Sequence, residues 1–261
     1  MPRYFLQIAY NGKSFKGWQT QANAPSVQDF LQEKLSILCK EKITLTGTGR
    51  TDTGVHALYY VAHADLPAKI DDKPLFLHKL NALLGDKVCV SDLHAVHDDA
   101  HARFDALYRR YVYYLSFDKE PFVHEYSLRL PKKPDIHLMQ DAASELLGSK
   151  DFEVFAKQGS PVSHHFCEVQ RSEFEDLGGR LAYHVQANRF LYGMVRSIVG
   201  TLLEVGYGNL SLAEFKALIA EKDRQKASKL APAHALFFHS VDYSYYPYTP
   251  CNNSEQKPFI L

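Results

Sequence analysis

The sequence predicts an α+β protein built on a largely antiparallel central sheet flanked by helices. Two observations carry that reading. Each half of the 261-residue chain mixes strand-like runs with at least two helical ones, and such mixtures pack as helices against a sheet. In the second half, runs over 166–176 and 180–187 flank Gly178-Gly179, a dipeptide able to adopt the positive φ angles of a tight hairpin.

In chain order, residues 3–10 alternate and are rich in aromatics, the pattern of a strand, and Asn11-Gly12 closes it with a turn. Ser26-Val27-Gln28-Asp29 reads as a variant capping box. Val27, Phe30, Leu31, Leu35 and Leu38 then recur at helical spacing. Residues 43–46 read as a short strand and 55–64 as a longer one. A helix is expected over 74–84, with Pro74 in its first turn, and a strand over 87–96 carrying Val88, Val90 and Leu93. The second half opens with a strand over 108–117 and a helix over 136–147 stopped by Gly148. After the hairpin come an apolar helix over 190–205 ending at Gly206, a helix over 212–220 and a last strand over 235–243. The seam falls near 98–106, which divides the chain into residues 1–104 and 105–247. Residues 248–261 hold two Pro, two Asn and a Ser and are expected to form a flexible tail.

With 46% hydrophobic residues the chain can bury one large core or two modest ones. It has no apolar run near the ~18 residues that cross a bilayer, and Met1-Pro2-Arg3-Tyr4-Phe5 lacks the pattern of a secretory leader. A cytoplasmic protein without membrane contact is expected. Cys39, Cys89, Cys167 and Cys251 are scattered without Cys-x-x-Cys spacing, so reduced structural thiols are the default. Lys plus Arg and Asp plus Glu both number 30. A net charge of zero argues against a uniformly basic RNA-binding surface, although local clusters such as Arg103, Arg109 and Arg110, or Arg189 and Arg196, leave room for a basic cleft.

The most informative stretch is Gly49-Arg50-Thr51-Asp52-Thr53-Gly54-Val55-His56-Ala57. Glycines bracket an Arg-Thr-Asp-Thr core and let a planar ligand approach the main chain. Arg50, two residues before Asp52, invites a charge-assisted hydrogen bond that keeps the carboxylate ionised. The plain alternative is an Asx-turn or helix cap. Two further stretches stand out. His101-Ala102-Arg103-Phe104-Asp105-Ala106 precedes the basic-aromatic run Tyr108-Arg109-Arg110-Tyr111-Val112-Tyr113-Tyr114, and Met194-Val195-Arg196-Ser197-Ile198-Val199-Gly200 places an arginine in an apolar helix. That arginine is costly to bury unless paired, which makes a carboxylate partner the expectation, with Asp52 the candidate; an arginine snorkelling to solvent is the alternative.

Together with Gly17-Trp18-Gln19 and Asn81-Ala82-Leu83-Leu84-Gly85, these stretches follow in order between Gly17 and Gly200, and the likeness they carry extends from about Tyr4 to about Tyr243. The chain resembles the tRNA pseudouridine synthase A family, whose usual active-site run is Gly-Arg-Thr-Asp-Ala-Gly-Val-His; here Thr53 replaces the Ala. The resemblance implies the pseudouridine synthase fold, two similar halves with the active-site cleft between them, and a homodimer whose subunits both touch one tRNA. It implies isomerisation of uridine in the anticodon stem-loop, at positions 38 to 40. The isomerisation is redox-neutral, so no cofactor or metal is expected. The family assigns the residue matching Asp52 as nucleophile. Attack on the base, attack on the sugar and abstraction of a sugar proton all stay open. Tyr111 matches the family's active-site tyrosine, able to stack on uracil, and Arg196 completes the catalytic set. Substrate contacts are expected from Arg50, Thr51, Arg103, Arg109, Arg110 and Tyr111. Arg50 either meets phosphate or wedges into the space a base leaves, and the resemblance favours the wedge. His56 reads either as a polar substrate contact or as a hydrogen-bonded structural histidine.

Two departures from the family pattern are local. Val169-Gln170-Arg171 keeps only the Arg of a Thr-x-Arg-like element, and Ala235 stands where the family has Gly. His164-His165-Phe166-Cys167 hints at a metal, but adjacent strand residues point to opposite faces, and no second ligand cluster is evident in the sequence. Asp52-Thr53-Gly54 also matches aspartic proteases, which need two such triplets; this chain has one. The remaining alternative is a catalytically inactive RNA-binding protein of the same fold.

Overall fold

The computed structural model describes residues 1–22, 24–157, 163–222 and 227–246. The chain forms two compact units. Among the described residues, the first comprises Met1–Leu107 and 237–246, and the second comprises Tyr108–Leu236.

In the first unit, β1 (Arg3–Tyr10) is the central organiser. It pairs antiparallel with β3 (His56–Asp65) on one side and with β4 (Val88–Val96) on the other. Tyr4, Phe5, Leu6, Ile8 and Tyr10 of β1 are all buried, as expected for a strand with both neighbours filled. Two helices accompany this sheet. Helix α1 (Val27–Cys39) starts at Ser26, whose hydroxyl accepts from the Asp29 amide at 3.0 Å and donates to its carboxylate at 2.6 Å. Val27, Leu31 and Leu35, spaced four apart, form its buried stripe. Helix α2 (Lys73–Leu84) is capped by Asp72, with Pro74 in its first turn where the missing amide costs nothing.

The expected strand over 43–46 is corrected to β2 (Thr46–Gly47), which pairs with β3. The reason lies in α1. The Ile43 amide donates to Ser36 Oγ, the Leu45 amide to Gln32 Oε1, and Gln28 donates to the Leu45 carbonyl. Helix side chains thus take the groups that a ladder would have used.

The second unit holds the strand order β5–β9–β8–β7, formed by β5 (Tyr108–Ser116), β9 (Arg180–Ala187), β8 (Phe166–Asp176) and β7 (Gly148–Asp151), all antiparallel. A short β6 (Leu128–Arg129) joins β5 in parallel. The β8–β9 hairpin turns at Gly178 and Gly179, with φ of 72° and 89°, as their sequence requires. Helix α3 (Ile136–Ser144) stops short of the expected 147, and β7 follows directly. Helix α4 (Met194–Gly206) starts four residues later than its apolar run, because Gly193 sits at φ 73° and breaks the helical geometry before Met194. Almost all of α4 is buried, and α5 (Leu212–Glu221) opens with a full capping box between Ser211 and Glu214.

The units meet in sequence between Leu107 and Tyr108, three residues beyond the expected boundary. The last strand, β10 (Leu236–Asp242), was expected in the second half. From Phe237 on it belongs to the first unit and pairs in parallel with β3, Phe237 opposite His56 and Phe238 opposite Ala57. Apart from the parallel β3–β10 and β5–β6 pairs, the strand pairings described within the units are antiparallel, which is the α+β class read from the sequence. The tail expected over 248–261 lies outside the described residues. Among the described residues no helix is long and apolar enough to cross a membrane, and Cys39, Cys89 and Cys167 carry free thiols.

Candidate active site

Residues 48–55 link β2 to β3, and the loop is fastened on both sides of Asp52. The Thr48 amide donates to the Val61 carbonyl at 2.9 Å. The Tyr60 hydroxyl both accepts from the Gly49 amide and donates to the Gly49 carbonyl. Thr51 is buried, its hydroxyl 2.8 Å from that of Tyr10, and its carbonyl accepts from the Trp18 amide. The Val55 amide closes back on the Asp52 carbonyl at 3.2 Å. Beneath the loop, Trp18 and Tyr60 rings lie 4.1 Å apart, and Tyr10 meets Tyr60 edge-on at 5.9 Å.

Glycines make this approach possible. Gly17 has φ of +91°, and a Cβ there would run into the Thr51 carbonyl oxygen; a Cβ on Gly12 would strike the Val55 carbonyl. This explains the Gly17-Trp18 pair in physical terms: glycine admits the loop and tryptophan supports it. The result is a half-buried Asp52 and an exposed Arg50 on a loop with little freedom, the preorganisation that positions a reacting group. His56 is 3% exposed. Its Nδ1 accepts from the Gly12 amide at 3.1 Å, and its ring stacks on Phe237 at 4.7 Å, so it helps hold the loop.

The one other sequence-predicted residue of the first unit, Arg103, stands on a different turn. Arg103 is exposed in residues 101–105, where His101, Ala102 and Phe104 surround it. The Ala102 amide donates to Nδ1 of His63, a buried residue of β3. Burial first, then the nearby positive charge of Arg3, pushes the His63 imidazole down to about 4, so it is neutral at pH 7.

In the second unit, Arg109, Arg110 and Tyr111 follow one another on β5. Arg109 donates to the Asn188 carbonyl at 2.6 Å, and Arg110 donates twice to Gln186 Oε1. Tyr111 is nearly buried and meets Phe190 edge-on, centroids 5.1 Å apart, a contact that fixes its ring plane. Arg196 stands in the first turn of α4. The carboxylate expected from sequence is not the partner of its Nε, which donates to the Ala231 carbonyl at 2.6 Å while the Ala231 amide donates to the Arg196 carbonyl at 3.0 Å. Next in the chain, the Pro232 carbonyl accepts from the Tyr113 hydroxyl at 2.9 Å. Sequence reasoning missed Tyr10, Tyr60, Asn188 and Ala231, whose contributions are contacts across the fold with no local signature.

One reading of the histidine pair is corrected. Asp151, Glu153 and His165 bring ligand atoms within 4.8 Å of one another, so further donor groups do lie beside His165. The Lys222 ammonium sits 2.6 Å from Asp151 Oδ2 and already supplies positive charge there.

Comparison with known proteins agrees with the motifs. A family model described as tRNA pseudouridine synthase matches residues 142–244. The tRNA pseudouridine synthase A of Parabacteroides distasonis is 42% identical over 93% of this chain and 96% of its own length. That of Porphyromonas gingivalis is 42% identical over 93% and 98%, and that of Bacteroides thetaiotaomicron 41% identical over 93% and 91%. These likenesses define an isomerase of the pseudouridine synthase class. The chain belongs to the tRNA pseudouridine synthase A family.

Proposed function

We propose that the chain isomerises uridine to pseudouridine in the anticodon stem-loop of tRNA, at positions 38 to 40, with Asp52 as nucleophile. The observation that carries this reading is the fastening of the loop on both sides of Asp52, by Tyr60 on Gly49 and by Tyr10 and Trp18 on Thr51. A loop held so tightly presents one carboxylate at a fixed place, which a covalent or ion-stabilising step requires. Near-complete coverage of the named relatives supports the substrate class.

The reaction breaks the N1–C1′ bond and forms a C5–C1′ bond. The freed uracil rotates, the proton leaves C5, and N1 ends protonated, so no electrons are gained or lost overall. Asp52 traps one fragment or stabilises a cationic sugar while the base turns. Tyr111 supplies a ring face for uracil. Arg196 supplies a fixed positive charge, and Arg50 occupies the space left by an extruded base. Arg103, Arg109 and Arg110 meet phosphates. A homodimer acting in the cytoplasm fits this reading.

The test is to incubate the protein with unmodified tRNA and map pseudouridine. Product at one or more of positions 38 to 40 is expected. Asp52→Ala should abolish turnover and leave tRNA binding nearly intact. Absence of product with native protein overturns the reading, and turnover by the variant overturns the role of Asp52.

A further inference from the structure

The turn at residues 101–105 is held far more firmly than its exposure requires. The His101 amide donates to Asp105 Oδ2 at 2.7 Å, and the Asp105 amide returns to the His101 carbonyl at 3.1 Å. The Arg103 and Phe104 amides both donate to His101 Nδ1, at 3.1 and 3.2 Å. The Ala102 amide donates to His63 Nδ1 at 3.0 Å, and its carbonyl accepts from the Tyr243 hydroxyl at 2.6 Å. The Tyr245 hydroxyl donates to Asp105 Oδ2 at 2.6 Å. Every amide from His101 to Asp105 therefore has a partner, and two neutral imidazoles supply three of the acceptor contacts.

At the head of this framework stands Phe104, 75% exposed. A lone exposed phenylalanine is ordinary; one mounted on a locked turn at the end of a ring series is not. The fully buried Phe5 stacks near His63 with centroids 6.3 Å apart, His63 meets His101 at 4.8 Å, and His101 meets Phe104 at 4.2 Å and 32°. The series climbs from the core and ends in an aromatic face turned to solvent. The Arg103 guanidinium lies 5.8 Å from the Phe104 centroid. An aromatic face beside a guanidinium is the chemistry that grips an unpaired nucleobase and its phosphate.

We propose that Phe104 is a preformed stacking platform for an unpaired base of the RNA substrate, and that His101 and His63 are positioning residues that hold it. This rests on the tRNA substrate proposed above. The hydroxyls of Tyr243 and Tyr245 complete the frame.

The experiment measures kcat, KM and direct binding with an anticodon stem-loop for native protein and for Phe104→Ala, Phe104→Trp, His101→Ala and His101→Asn. Loss of one stacked base predicts a KM and Kd increase of about 5- to 150-fold for Phe104→Ala, with kcat within about twofold. Phe104→Trp should bind like the native protein. His101→Ala should raise KM. His101→Asn, whose Oδ1 replaces Nδ1 as acceptor, should recover most of that loss, which a merely structural effect of removing the imidazole would not predict. A stem-loop carrying 2-aminopurine at its unpaired positions adds a readout on native protein, in which stacking quenches the fluorescence of at least one position. Unchanged Kd for Phe104→Ala, in a native enzyme that makes pseudouridine, overturns the platform and leaves the proposed function standing. A Phe104→Ala variant that changes only sedimentation, with Kd unaltered, overturns it in favour of a contact between copies of the chain. No product from native protein is the separate failure of the function itself.

Discussion

Arg196 and Ala231 grip each other twice, side chain to carbonyl at 2.6 Å and amide to carbonyl at 3.0 Å. This double link ties the first turn of α4 to the strand-bound segment that follows 35 residues later in the chain, and it orients the guanidinium before any substrate arrives. Lysine has no Nε–H fork and cannot reproduce the link. Arg196→Lys is expected to lower kcat by about 10²-fold, the typical loss when a preorganised electrostatic group is removed. It should also lower the melting temperature by roughly 2–4 °C, from about 1 kcal/mol of lost hydrogen bonding. Steady-state kinetics and thermal unfolding of the one variant check both.

Gly17→Ala is expected to damage activity and stability together. Its φ of +91° disfavours a side chain, and the new methyl would collide with the Thr51 carbonyl next to Asp52. A displacement of ~1 Å at the carboxylate is enough for a loss of about 10²-fold in rate. Gly85→Ala is the comparison. It shares a positive φ, 60°, but has no atom within 4 Å of its Cβ position, so it should lose stability and keep its kcat.

Ser26→Ala tests helix capping apart from chemistry. The substitution removes the acceptor for the Asp29 amide and the donor to its carboxylate. About 1 kcal/mol should be lost, read as a lower urea midpoint with an unchanged m-value, and turnover at 25 °C should stay at the native level.

His63 gives stability a pH dependence. Its folded value of about 4 lies below the ~6.5 of an unfolded imidazole, so the unfolded chain binds the extra proton. Its contribution is complete above pH ~6.5 and drains as pH falls toward 4, with a limiting slope of ~1.4 kcal/mol per pH unit. Arg3 and His101 push the value the same way as burial, while Asp65 and Asp105 oppose them. His63→Asn keeps an acceptor for the Ala102 amide and removes the titration. Urea midpoints of the two proteins should diverge across this window, and parallel curves would refute the assignment.

Elements whose pattern is local were legible in the sequence. The alternation in β1, the four-residue stripe of α1 and the paired glycines of the β8–β9 turn each state their own structure. Residues 43–45 did not, because their amides are claimed by Ser36 and Gln32 of a helix whose position no local rule predicts. The start of α4 was misread because the apolar run continues through Gly193, whose backbone ends it. At the candidate site, the motif singled out the loop and its carboxylate, and the resemblance is what put Tyr111 and Arg196 forward. What the sequence hid was the support. Tyr10, Tyr60 and Ala231 act through contacts between residues distant in the chain, and His101 and His63 act through a ring nitrogen that only three-dimensional structure can aim.

The parallel seating of Phe237 and Phe238 against His56 and Ala57 has a consequence for biogenesis. The first unit lacks one of its strands until all of Tyr108–Leu236 has been made. At ~5–20 residues per second on the ribosome, that is a wait on the order of ten seconds. Throughout it the outer edge of β3 near the Asp52 loop stays open to wrong partners. The nascent chain therefore carries an open strand edge beside the Asp52 loop for that whole wait, and a chaperone acting there would protect yield.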